Sequence, residues 1–110
     1  MAYTDIDKPS DYFNTKLYSG NSSTQSITGV GFKPDWTWIK YRNDGTYGHD
    51  LYDSVRGATK TLNSNNTNAE YTSADRLTSF DSDGFTVKGY AGGNDVSNKS
   101  GVSYIYLAIA

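Results

Sequence analysis

The sequence predicts an all-β protein, an antiparallel β-sandwich of about eight strands, and three observations carry that reading. Aromatic residues are plentiful, with ten Tyr, four Phe and two Trp in 110 residues. Helix-favouring residues are scarce: Glu70, Gln25 and Met1 stand alone in their types. Clusters of Gly, Asn, Asp and Ser punctuate the chain at intervals of roughly 8–12 residues. Aromatic and β-branched side chains suit a pleated, half-buried surface, while Gly, Asn and Asp supply bends. Short strands at such spacing favour a sandwich or jelly roll over a parallel sheet with crossover helices.

The whole chain, 1–110, reads as one domain opened by an extended arm or loop over 1–11, where Asp, Lys and Pro9 mix. From Phe13 to Tyr18 the residues alternate, with Phe13, Thr15 and Leu17 on one face and Asn14, Lys16 and Tyr18 on the other, as in a strand. A turn over 19–23 leads to a short strand, Thr24 to Thr28, ended by Gly29 and Gly31 at a bend or bulge. Pro34 precedes the strongest strand, Trp36 to Arg42, where Trp36 and Trp38 share a face and read as core or as a subunit interface. Asn43-Asp44-Gly45 signals a hairpin, with a return strand from about Tyr47 to Val55 that puts His49, Leu51, Asp53 and Val55 on one side. A small strand near Ala58 to Leu62 precedes the exposed polar loop 63–68. Arg76 to Phe80 and Phe85 to Tyr90 pair across the turn 81–84, and Ala91 to Gly101 is a loop. The last segment, Val102 to Ala110, is apolar at nearly every position, as a strand covered on both faces would be. A free apolar edge there would be an aggregation hazard, so this strand lies inside a sheet or the chain is cut from a longer one.

Charge and residue types exclude several function classes. Ten basic and twelve acidic residues give a net charge of −2, too balanced for a sequence-independent phosphate binder, and Asp35, Asp44 and Asp50 offset Lys33, Lys40 and Arg42; nucleic acid is not an expected partner. Without cysteine, disulfides, thiolate zinc sites and thiol nucleophiles are out of reach. No apolar run approaches the roughly 18 residues that span a bilayer, so membrane insertion is not expected either.

Catalytic chemistry finds little to build on. Sugar-bond hydrolysis needs two carboxylates flanking the scissile bond; Asp81 and Asp83 are the nearest pair, but in a Ser/Gly turn their side chains serve the backbone. The same turn resembles the start of a calcium loop, yet Gly84 comes too early and no bidentate Glu follows; Asn94 and Asp95 would add ligands only if the loops converged. His49 has Asp50 on the opposite strand face and no nucleophile elbow. The chain is therefore expected to be non-enzymatic, with no metal and no cofactor. Carbohydrate binding fits better, through aromatic faces and hydroxyl-bonding polar groups; Tyr41, Arg42, Tyr47 and His49 flank one predicted hairpin and are the candidate ligand-binding residues. The competing reading is that such aromatics build the core or a cross-strand ladder.

Several stretches resemble a phage-encoded domain of virion and tail-fibre-like proteins: residues 3–21, from Tyr3 to Asn21; 27–35 with the Trp38-Ile39-Lys40 that follows; 49–60, from His49 to Lys60; 83–87; and 104–108. The resemblance covers essentially the whole chain. It implies a concanavalin-like jelly roll in a phage structural protein, located on the virion surface. Similar-looking glucanases of that fold use several glutamates on one strand, which this chain lacks. The domain usually sits within a longer protein, so a Met-initiated chain of 110 residues suggests a small virion accessory protein. The expected function is capsid decoration, a tail appendage or a fibre building block, with copies of itself or other virion proteins as partners. Aromatic-rich, Lys- and Glu-poor faces suit such contacts. The alternatives are a lectin-like module for host-surface glycan and, third, a polysaccharide depolymerase.

Overall fold

The computed structural model describes residues 7–43, 45–89 and 96–110. The expected arm over Met1–Ile6, the hairpin residue Asp44, and the segment from Tyr90 to Asp95, with its possible calcium ligands, lie outside the described residues.

Two antiparallel sheets form a β-sandwich. A 3-10 turn over Pro9–Asp11 is followed by nine strands among the described residues: β1 Phe13–Ser19, β2 Gln25–Ile27, β3 Trp36–Tyr41, β4 Asp50–Asp53, β5 Lys60–Asn63, β6 Tyr71–Thr72, β7 Leu77–Asp81, β8 Gly84–Val87 and β9 Ser103–Ile109. The larger sheet runs β1-β9-β3-β4-β5-β6 and the smaller β2-β8-β7. The alternating burial of β3, β4 and β9 follows from strand geometry, since successive side chains point to opposite faces. Their inward residues Ile39, Tyr41, Tyr52, Tyr104, Tyr106 and Ala108 meet Ile27, Leu77, Phe85 and Val87 from the smaller sheet. Phe85 bridges the layers, edge-on to Tyr106 at 5.1 Å and to Tyr18 at 6.1 Å, a geometry that the ring quadrupoles favour.

β9 lies between β1 and β3, in the interior of the larger sheet. It is covered on one face only: Tyr104, Tyr106 and Ala108 are buried, while Ile105 and Leu107 are half-buried and Ile109 is exposed. Its continuous apolar pattern thus reports a covered face and a partly bare one. Trp36 and Trp38 are outside the core as well. The inward positions of β3 belong to Thr37, Ile39 and Tyr41, and both indoles sit half-buried on the opposite face. The return strand β4 is shorter than expected and begins at Asp50, since the described residues 45–49 before it form no strand. β6, two residues long, carries no periodic signal in the sequence.

The small sheet depends on a close approach at the β7–β8 turn. Asp81 pairs with Gly84 across a two-residue connection, and a Cβ on Gly84 would lie 1.8 Å from the Ile27 carbonyl oxygen. Only a residue without a side chain lets β2 come in beside β8. Gly84→Ala is therefore expected to push β2 outward at a cost of about 1–3 kcal/mol, seen as a lowered Tm. An unchanged Tm would show that the two strands do not meet as described.

Candidate functional site

The outer face of the six-stranded sheet is the most distinctive surface. Register places its outward residues in rows across the strands. Phe13, Ile109, Trp36 and Asp53 form one row. Thr15, Leu107, Trp38, Leu51 and Leu62 form the next. Leu17, Ile105 and Lys40 form the third. With strands about 4.8 Å apart and same-face residues about 6.7 Å apart, the rows cover five strands with apolar side chains almost throughout. Phe13, Leu17 and Ile109 are 47%, 54% and 39% exposed, and the remaining apolar members are half-buried. Asp53 at one margin is held by Arg56, whose Nε donates to its Oδ2 and whose backbone N–H donates to its Oδ1. Partial desolvation would raise the Asp53 carboxyl; these donors more than offset it and hold it below its usual range.

The four predicted ligand-binding residues do not share one surface. Tyr41 is buried in the core, stacked on Tyr47 at 5.1 Å and tilted against Tyr104 at 4.8 Å. Its ring faces are occupied by protein. Tyr47 is half-buried and packs against the core. Arg42 is exposed and donates to Ser103 Oγ at 3.0 Å. His49 belongs with the outer face: its ring stands edge-on to Trp38 at 5.4 Å. Beside it, Trp38 Nε1 donates to Ser64 Oγ at 3.2 Å and the His49 backbone N–H donates to Asn65 Oδ1 at 3.0 Å. A stacking platform made of Tyr41 is thus unavailable, whereas Trp38, which the sequence places in core or interface, joins His49 at the polar rim.

Several of the described acidic residues are engaged by the fold. Asp83 accepts from the backbone N–H groups of Gly29 at 2.9 Å and Gly31 at 2.7 Å, and these donors hold its carboxyl below the usual range. The loop it clamps seats Val30, fully buried, in the core. Asp81 accepts from Ser79 Oγ and Thr86 Oγ1. Asp50, buried at 3% exposure, accepts from Arg76 Nη1 at 2.9 Å, Asn63 Nδ2 at 2.7 Å and Tyr52 OH at 3.1 Å. Burial pushes the Asp50 carboxyl up against the opposing pull of Arg76, and burial with the neighbouring Asp50 charge pushes the Tyr52 hydroxyl up. Less deeply buried, Arg76 loses some stability as a cation to desolvation, but Asp50 more than restores it. Its guanidinium lies 5.0 Å from the centre of the Tyr71 ring. Among the described residues, no three His, Asp or Glu side chains converge as a metal site would require.

An antiparallel β-sandwich with a broad apolar outer face, and with Asp50, Asp53, Asp81 and Asp83 each bonded within its own fold, is the class of molecule that fold and surface define. The chain belongs to the family described as Domain of unknown function (DUF7483), which it matches over residues 8–108. No curated protein and no solved structure gives a significant match.

Proposed function

We propose that the chain is a non-enzymatic contact module, a phage virion structural component of jelly-roll type that assembles with copies of itself through the outer face of its larger sheet. The carrying observation is that face: Phe13, Leu17 and Ile109 stand exposed beside Trp36, Trp38, Ile105 and Leu107 in adjacent register rows. A contiguous apolar patch rimmed by polar groups marks a protein contact, and Trp is among the residue types that most often carry interface energy. Placement in a virion, on capsid or tail, rests on the motif resemblance across the chain.

Light scattering over a concentration series tests the reading. The wild-type protein is expected to self-associate. Leu107→Glu, at the centre of the face, is expected to weaken association by at least about tenfold, or 1.4 kcal/mol, because a carboxylate would have to be desolvated in the contact. Leu107 points away from the core, so its Tm should change little. A wild type that remains monomeric, or a variant that associates equally well, would remove the reading.

One observation favours a second reading, a host-surface glycan module. Half-buried Trp38, with His49 at its edge and Ser64 and Asn65 beside it, combines an aromatic surface with hydroxyl-bonding groups. Retention on host polysaccharide that disappears in Trp38→Ala would support this reading over assembly.

A further inference from the structure

The two edges of the larger sheet are unequal. At one side the sheet ends in β6, two residues long, the kind of short edge that discourages strand addition. At the other it ends in β1, seven residues long with five of them exposed. The hydrogen-bonding direction of each β1 residue follows from the ends of the ladder: the Ala110 N–H donates to the Tyr12 carbonyl and the Gly20 N–H to the Val102 carbonyl. In an antiparallel ladder, bonded and non-bonded pairs alternate. Even-numbered residues of β1 therefore bond to β9, and odd-numbered ones aim their N–H and C=O groups at the free edge. Among the described residues, the backbone groups of Phe13, Thr15 and Leu17 meet no partner there; the Ser19 carbonyl accepts from Gln25 Nε2. The same residues carry the outward side chains of β1.

We propose that β1 pairs antiparallel with β1 of a second copy, about a two-fold axis through Thr15, joining two larger sheets into one. This deepens the assembly reading by adding a specific edge contact to the face. A second copy fits because a strand edge is self-complementary under a two-fold rotation, and the side chains select one register. Centring the axis on Lys16 would set two lysines directly opposite each other, a destabilising like-charge pair. Centring it on Leu17 would leave Phe13 facing Asn21, beyond the end of the strand. Centring it on Thr15 pairs Phe13 with Leu17 of the second copy, twice by symmetry, and puts Thr15 opposite itself. Aromatic–aliphatic and Thr–Thr cross-strand pairs are both favourable. Lys16, the only charged residue in β1, then faces Asn14 of the second copy.

Three such residue pairs exchange about six backbone hydrogen bonds. Half-exposed Tyr12, Phe13 and Leu17 with their neighbours give roughly 400 Å² per copy, about 800 Å² in total, which alone falls short of the roughly 1,000 Å² of a stable contact and makes the edge an addition to the face contact. The joined outer faces then form one continuous apolar surface.

The absence of cysteine makes the register directly measurable with single-cysteine variants. In the proposed pairing the two Thr15 Cα atoms form a hydrogen-bonded pair about 5.5 Å apart, with Cβ atoms spaced too widely for an unstrained disulfide but close enough for a short bifunctional thiol reagent, whereas the two Ser19 Cα atoms are about 27 Å apart at 3.4 Å per residue. Bis-maleimidoethane, each of whose two double bonds adds one thiol across it, is expected to convert most of Thr15→Cys to a covalent dimer and leave Ser19→Cys monomeric. Equal cross-linking of the two variants, or none in either, would overturn the pairing. If Thr15→Cys fails while Leu107→Glu still abolishes association, the edge contact falls and the face reading stands. If Thr15→Cys cross-links while Leu107→Glu has no effect, the face reading falls and the edge contact stands.

Discussion

Arg76→Met is expected to destabilise the protein by about 3–5 kcal/mol, because it leaves the Asp50 carboxylate buried without its counter-charge. Asp50 is 3% exposed, so water cannot replace the guanidinium. For a domain of this size, each kcal/mol lowers Tm by roughly 4–8 °C, and the variant should melt well below the wild type. The sign of the pH dependence identifies the cause. Burial already raises the Asp50 carboxyl above its ordinary value, and removing Arg76 raises it further. A folded-state value above the unfolded one means that the native state holds the proton more tightly. The penalty is then absent below the ordinary carboxylate range, near 3.9, and grows as pH rises through the folded value. The deficit of Arg76→Met relative to wild type should therefore shrink on acidification. Asp50→Leu/Arg76→Met, which removes both charges, should be more stable at neutral pH than Arg76→Met alone. Thermal melts of the three proteins across pH decide the matter: a pH-independent deficit, or a double variant no better than the single, would mean that Arg76 acts by packing alone.

This network was illegible in the sequence for a physical reason. Asp50 and Arg76 are 26 residues apart, and nothing local distinguishes Asp50, the first residue of β4, from Asp53 at the end of the same strand. Period-2 alternation is local, so β1 and β3 could be read from it, whereas the unbroken apolar run of β9 marked a strand without showing that only one of its faces is covered. The direction in which a strand faces is not local. In β1 the more apolar set, Phe13, Thr15 and Leu17, is the exposed one, while Tyr18 enters the core and the Lys16 amine bonds the Gly29 carbonyl. The register with β9 decides this, and β9 lies some 90 residues downstream (Phe13 pairs with Ile109). The same non-locality misplaced Tyr41: an aromatic pair flanking a loop looks like a binding platform until Tyr104 arrives to cover it. Asp81 and Asp83 could be placed in a turn from local sequence, but their partners could not: Asp83 clamps the backbone N–H groups of Gly29 and Gly31, 54 and 52 residues upstream, and Asp81 accepts from the Ser79 and Thr86 hydroxyls and, among the described residues, not from its own backbone.

Asn98→Asp is expected to be among the most damaging single-atom changes the fold can receive, at about 3–5 kcal/mol, and worse than Asn98→Ala. Asn98 is fully buried and ties the turn after β1 to the segment before β9. Its Oδ1 accepts from the Asn21 backbone N–H at 3.0 Å and from Gln25 Nε2. Its Nδ2 donates to Asn21 Oδ1 at 3.0 Å and to the Ser23 carbonyl. Its own carbonyl accepts from the Ser22 N–H at 2.7 Å, where Ser22 holds a positive φ of 56°. Both amide groups are thus used, in opposite senses. Alanine removes both sets of bonds, but Asn21 and Ser23 are exposed and Gln25 is half-buried, so water can take up much of the freed hydrogen bonding and the cost falls short of the full penalty for unmade buried partners. Aspartate keeps the accepting oxygen but turns the donor into a second acceptor, aimed at two oxygens that already need protons, and adds a buried charge with no cation at hand among these contacts. Protonation would restore one donor, so Asn98→Asp should regain stability as pH falls towards the carboxylate range while Asn98→Ala does not. Urea melts of both variants at neutral and acidic pH measure the difference. If the aspartate variant matches the wild type at neutral pH, the amide is not the hub that its contacts describe.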